Sequence, residues 1–274
     1  MTIEALTRDR WYDGNLWLTQ PATGFRATSD AVMLAASVPD AADILELGVG
    51  AGAVLMILAR RLMSARLTGV DNDPAMLDLA RLNAKENGFA DRITLIEADV
   101  TAPDFPIQGD SKSSASSASS TSSTSSTSSA SLASWDHVVM NPPFNDPLSS
   151  LSPGQQRRQS MASDYTLPWI GCAARALNRR GGLTMIGRAD QLDQILAALE
   201  AHDMGETVIR PVHSRADRPA HRVLIRARKG MSGALTLLPP LIMDSAEYAD
   251  LAHGGVVALV QPGRKYAAPQ KAKP

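Results

Sequence analysis

Asp43-Ile44-Leu45-Glu46-Leu47-Gly48-Val49-Gly50-Ala51-Gly52-Ala53 is the stretch that decides how this chain folds. A short apolar run ends in alternating glycines, and residues 53–63 beyond them have helical composition. A buried strand that turns tightly into a helix has this pattern. Glycine lets the backbone turn sharply and lets a ligand approach the peptide plane. Residues 48–53 also satisfy the dinucleotide pattern with a final alanine. The loop alone therefore does not separate a nicotinamide dehydrogenase from other nucleoside binders. Glu46 stands inside the strand, where an acid is costly unless it serves a ligand or the loop.

Outward from this stretch, strand and helix patterns alternate. Residues 67–71, 93–99, 135–141 and 183–187 read as further strands, and 167–177 and 191–202 as helices. Asp73 reads as a helix N-cap, Pro74 as the first helical residue and Asn87-Gly88 as the stop. Such alternation implies a mostly parallel sheet with helices on both faces. Residues 207–211 and 222–228 lack a helix between them and should form an antiparallel hairpin at one edge. From 110 to 134 the chain is almost wholly Ser, Ala and Thr. It is expected to be a disordered loop entering its strand at the end opposite the site, functionally mute unless phosphorylated.

Acids fall at consecutive strand ends. Asp71 comes 19 residues after Gly52, where a carboxylate accepts hydrogen bonds from ribose hydroxyls. Asp99 ends the next strand and can meet an adenine. The strand after that ends in Asn141-Pro142-Pro143-Phe144. Two prolines cannot continue a ladder, so the chain must turn there. The turn presents an amide side chain, bare carbonyls and an aromatic face at the sheet edge where open α/β folds place their chemistry. A plain strand-ending turn with Phe144 in the core is the other reading, but no hydride transfer requires this tetrapeptide.

Composition narrows the class. The 274 residues carry a net charge of -1, so nucleic acid would need a local basic patch. A single cysteine, Cys172, excludes an internal disulfide and a cysteine-rich metal site, and fits a reducing cytoplasm. The five histidines show no ligand spacing, so no metal is expected. No apolar run approaches the roughly 20 residues of a membrane helix, so no membrane partner is expected either.

The glycine loop, Asp71, Asp99 and the tetrapeptide together resemble class I S-adenosylmethionine (SAM)-dependent methyltransferases of the amino-methylating type. Residues 24–34, Gly24-Phe25-Arg26-Ala27-Thr28-Ser29-Asp30-Ala31-Val32-Met33-Leu34, sharpen the likeness, as do 222–230 and 237–241. They make the chain similar to the bacterial tRNA(Val) anticodon-loop adenine-N6 methyltransferase family from about Gly24 to Tyr248, the Ser-rich insert apart. The resemblance implies a Rossmann-like α/β fold, a seven-stranded mostly parallel sheet with its last strand antiparallel. It implies a cap segment over the cofactor site at 1–40, the methyltransferase domain at 41–230 and a C-terminal tail at 231–274. It assigns SAM to Asp30, Glu46, Gly48, Gly50, Gly52, Asp71, Asn72, Asp99, Val100 and Asn141, and catalysis to Asn141, Pro142, Pro143 and Phe144.

The chemistry explains the tetrapeptide. The lone pair of an adenine or amide NH₂ is delocalised and a poor nucleophile. The Asn141 side-chain carbonyl can accept one N–H and the Pro142 backbone carbonyl the other, favouring a pyramidal nitrogen aimed at the methyl. Phe144 would stack on the planar substrate. The target is expected to be adenine in RNA, with tRNA as partner. Protein glutamine and DNA adenine remain alternatives. Only about 40 residues precede the first strand, against the helical domain of glutamine methyltransferases, and no DNA target-recognition domain is evident. Arg210, Arg215, Arg218, Arg222, Arg226, Arg228 and Lys229 crowd one segment with Asp217 as the only acid, and Arg157 and Arg158 add to them. Of these, Arg157, Arg158, Arg215, Arg218 and Arg222 are the expected nucleic-acid contacts, although arginines on an edge strand also simply keep that edge soluble. Outside this class stand a NAD-dependent oxidoreductase and a non-catalytic SAM-fold binding protein.

Overall fold

The computed structural model describes residues 5–24, 26–102, 105, 134–143 and 166–260. The bulk of the Ser-rich insert, Phe25, Phe144, Arg157 and Arg158 lie outside the described residues. Seven strands form the body of one sheet: β3 (Asp43–Leu47), β4 (Arg66–Asp71), β5 (Ile93–Glu97), β6 (Trp135–Met140), β7 (Leu177–Arg188), β8 (Met204–His213) and β9 (Ala220–Lys229). Their order is β5-β4-β3-β6-β7-β9-β8. All neighbours run parallel except β9, which is antiparallel to both β7 and β8. The hairpin expected from the sequence is thus present, with its second strand slotted inside the edge.

The sheet is nine-stranded rather than seven-stranded. β10 (Thr236–Leu237) and β11 (Leu241–Ile242) both pair in parallel with β8. Two-residue strands are too short for any hydrophobic period to reveal. The segment expected as a tail therefore closes the sheet edge. It continues into a short helix, α6 (Ala246–Leu251), and Leu241, Leu251, Val257 and Leu259 are all buried.

Helices cover both faces. α1 (Ser29–Ser37), α2 (Ala53–Arg61) and α3 (Pro74–Glu86) lie with one apolar cluster, which includes Leu34, Leu55, Leu77 and Ile44. α4 (Thr166–Ala176) and α5 (Leu192–Ala201) lie with the other, including Ile170, Ile195, Leu45 and Leu47. Side chains alternate along a strand, so Glu46 follows Ile44 to the α1–α2 side. Asp73 caps α3 as expected, its Oδ1 accepting from Ala75 N at 2.9 Å ahead of Pro74. Ahead of the sheet, β1 (Leu6–Trp11) and β2 (Leu16–Pro21) form a separate antiparallel hairpin. Its turn holds Tyr12 and Asp13 at positive φ. Among the described residues no helix is long and apolar enough to cross a membrane.

Candidate active site

Register alone brings the important strand ends together. Leu47 pairs with Val70 on one side and with Met140 on the other. The glycine loop therefore leaves β3 beside Asp71 at the end of β4 and beside Asn141 at the end of β6. Gly48 N and Val49 N both donate to Val70 O, at 2.8 and 2.9 Å. Gly48, Gly50 and Gly52 take φ of 69, 53 and 86°, a region that disfavours side chains. A Cβ on Gly48 would also stand 2.5 Å from the Trp169 ring of α4, so the position has no room for one.

Glu46, Gly48, Asn141, Pro142, Pro143 and Asp30 line a single cleft. Asp30 sits in the first turn of α1, whose N-cap Thr28 accepts from Asp30 N. Glu46 is 3% exposed, and burial pushes its carboxyl well above the usual carboxylate range. Glu46 Oε2 and Asn141 Oδ1 are both buried without a hydrogen-bond partner among the described residues. Unmet buried acceptors are expensive, and two on residues that line one cleft fit a ligand that supplies N–H or O–H donors.

The other expected cofactor residues stand along the same sheet edge but outside the lining of this cleft. Asp71 braces the loop: its Oδ2 accepts from Gly50 N at 2.8 Å and its Oδ1 from Asp73 N at 3.0 Å. Asn72 is exposed. Asp99 is exposed and accepts from Thr101 N and Oγ1, at 2.8 and 2.6 Å. Val100 is buried, and its carbonyl meets the Cys172 thiol, which is a core group.

The basic cluster of the sequence divides in space. Arg210 is bound to Glu247, Arg228 to Glu206, and Lys229 to Leu177 O. Arg226 is 5% exposed and donates to Leu259 O. Arg222 lines the cleft and pairs with Asp30 at 3.1 Å. It therefore belongs to the cleft wall and not to a surface patch. Arg215 and Arg218 alone of the seven are exposed, in the β8–β9 turn.

Two positioning residues escaped the sequence reading. Asn83 of α3 is completely buried; it donates to Ala51 O and Thr19 O and accepts from Thr19 N, all at 2.8 Å. It ties the glycine loop to β2. Gln20 of β2, 1% exposed, lines the cleft and accepts from Ala27 N at 3.0 Å. A polar residue within the apolar stripe of α3 was the available signal for Asn83; nothing comparable marks Gln20. Among the described residues no cluster of acids, histidines and cysteine is placed to hold a metal.

Known proteins share the domain and the fold. The family described as a methyltransferase domain matches residues 44–129. A tRNA1(Val) (adenine(37)-N6)-methyltransferase of Porphyromonas gingivalis is 25% identical over 76% of this chain and 76% of its own. A release factor glutamine methyltransferase of Chlorobaculum tepidum is 38% identical, over 34% of this chain and 33% of its own. A crystal structure of a predicted O-methyltransferase from Agrobacterium tumefaciens superposes with a TM-score of 0.64 at 28% identity, covering 84% of this chain and 98% of that one. Methyl transfer is common to all of them, and hydride transfer to none. Residues 44–129 match a methyltransferase domain, the fold is that of the class I SAM-dependent methyltransferases, and over most of its length the chain resembles the tRNA(Val) adenine-N6 enzymes.

Proposed function

We propose that the chain methylates the exocyclic N6 of adenine in a tRNA, in the cytoplasm. The observation that carries this reading is Asn141 Oδ1, buried in the cleft without a partner among the described residues and followed by two prolines. A side-chain carbonyl kept in reserve suits an NH₂ group, which arrives with two N–H donors to place. Asn141 Oδ1 accepts one and Pro142 O the other. Both bonds strengthen as positive charge develops on the nitrogen, so they stabilise the transition state more than the ground state. The prolines hold the acceptors in place before the substrate arrives. Bound SAM supplies an electrophilic methyl group on a sulfonium. The glycine loop with Gly48, Gly50 and Gly52, together with Glu46, Asp30, Asp71, Asn72, Asp99 and Val100, would hold it. No strong general base is needed, because the proton leaves for solvent once the methyl has transferred. Phe144 would stack on the base, and Arg157, Arg158, Arg215 and Arg218 would meet phosphates.

The relatives support adenine in tRNA, since the match to the Porphyromonas gingivalis enzyme spans most of the chain. A protein glutamine amide is the second reading, favoured by the higher identity of the release-factor relative over a shorter span. Incubation with labelled SAM and separate pools of tRNA, rRNA, DNA and release factor separates them. N6-methyladenosine from the tRNA pool is the expected product. Methylglutamine in the protein pool would establish the second reading instead. In the same assay Asn141→Ala should lose about 10²–10³-fold in kcat, with SAM affinity within about threefold of wild type. Near-normal turnover in that variant would refute the mechanism.

A further inference from the structure

The Asp30–Arg222 pair joins positions 192 residues apart in the chain. Because β9 runs against the parallel strands, its first residues reach the edge where β3 and β6 end. Arg222 opposes Arg188, the last residue of β7, and its Nε donates to Asp30 Oδ2 at 3.1 Å. The side chains are 13% and 21% exposed, for Asp30 and Arg222 respectively, and both line the cleft that holds Glu46 and Asn141. The pair is only partly exposed to solvent. Here it displays one positive and one negative group side by side on a ligand-sized wall. The other cation on that wall, Arg26, is turned to Pro21 O, Thr7 and Asp9.

The chemistry of the occupant follows from the two signs. A phosphate would satisfy Arg222 but meet the Asp30 carboxylate at nearly the same distance. An α-amino acid head group carries an ammonium and a carboxylate on one carbon and satisfies both. We propose that Arg222 is a positioning residue for the methyl donor, taking the carboxylate of SAM's amino-acid end while Asp30 takes the ammonium. This rests on the SAM reading of the cleft. It removes Arg222 from the nucleic-acid contacts and gives it a part in fixing where the donor lies.

Calorimetric titration of wild type, Arg222→Ala and Arg222→Lys with SAM and with decarboxylated SAM tests the assignment. Wild type should prefer SAM at least about tenfold. Arg222→Ala should lose about ten- to a hundredfold in SAM affinity, the worth of a charge-assisted hydrogen bond, while its affinity for decarboxylated SAM moves less than about threefold. Arg222→Lys should keep part of the preference. Equal loss for both ligands would make the residue merely structural and overturn the proposal. So would an Arg222→Ala variant that keeps the carboxylate preference but loses tRNA binding, which marks a phosphate contact. If wild type binds neither ligand, the SAM reading itself falls and takes the assignment with it. Arg222→Gln, nearer in bulk, replaces the alanine variant if that one fails to fold.

Discussion

Glu46 holds a carboxyl where water is excluded. Burial is the largest cause of its raised pKa; a hydrogen bond from the Leu55 backbone opposes the rise, and the nearby charge of Asp71 adds to it. Stability must therefore depend on pH at this residue. Below the ordinary value of 4.5 the carboxyl is neutral in both folded and unfolded chains, and nothing is lost. Above 4.5 the unfolded chain releases its proton while the folded chain resists, so stability is lost as pH rises through the folded pKa. Glu46→Gln removes that loss. The variant should match wild type below pH 4.5 and exceed it in thermal midpoint by a margin that grows toward neutral pH. The same substitution should weaken SAM binding by about tenfold, because a carboxylate contact to a cationic ligand is a charge-assisted one. Parallel scans of unfolding and titration against pH check both halves. A variant that gains neither stability nor a weaker ligand would show that the cleft makes no use of the charge. The residue was legible in the sequence as an acid placed against the hydrophobic grain of a strand. The Arg222 contact was not, because an ion pair across 192 residues leaves no local pattern.

At the scale of elements, β6 and β7 owe part of their register to His137. Its ring is 2% exposed, lies 2.9 Å from Thr184 Oγ1, and faces Gly182 on the neighbouring strand. A Cβ on Gly182 would come within 2.7 Å of His137 Nδ1, so the ring occupies room that glycine leaves. Burial, helped by the charge of Arg226, lowers its pKa from 6.5 to about 3. The unfolded chain then binds a proton below pH 6.5 that the folded chain does not, and stability is lost as pH falls from 6.5 toward 3. Each pH unit in that window costs on the order of 1 kcal/mol from this group. Urea midpoints of His137→Asn should fall less steeply with acid than those of wild type; equal slopes would assign the acid sensitivity to other groups. The main strand-and-helix alternation was readable because each element buries an apolar face with its own period. The β1–β2 hairpin was not. Thr7-Arg8-Asp9-Arg10 has no apolar period, and its stabilising contact, Arg8 stacked 3.6 Å over the Trp17 ring, exists only once the hairpin has closed.

For the molecule as a whole, the segment after Gly230 matters more than its sequence suggests. Arg222, Arg226 and Arg228 share one face of β9 by simple alternation, and in sequence that face looks like an open basic stripe. In space the final segment covers its middle: Leu259 O accepts from Arg226 Nη1 at 3.2 Å, and Arg210 reaches Glu247 of α6 at 2.7 Å. Val257 N donates to Ala36 O at 3.0 Å, binding the same segment to the end of α1. It thus holds both elements that carry the cleft's ion pair, α1 with Asp30 and β9 with Arg222. Leu251 is 1% exposed and anchors α6 in this arrangement. Leu251→Ala should cost about 2–5 kcal/mol in urea unfolding, the range of a buried leucine, against about 0.5 kcal/mol for a position on a solvated tail. Because the anchored segment also braces α1 against β9, the variant should bind SAM more weakly even where it remains fully folded. A cost within about 0.5 kcal/mol and unchanged SAM affinity would return residues 231–260 to the role of an appendage, and with it the basic face of β9 to solvent.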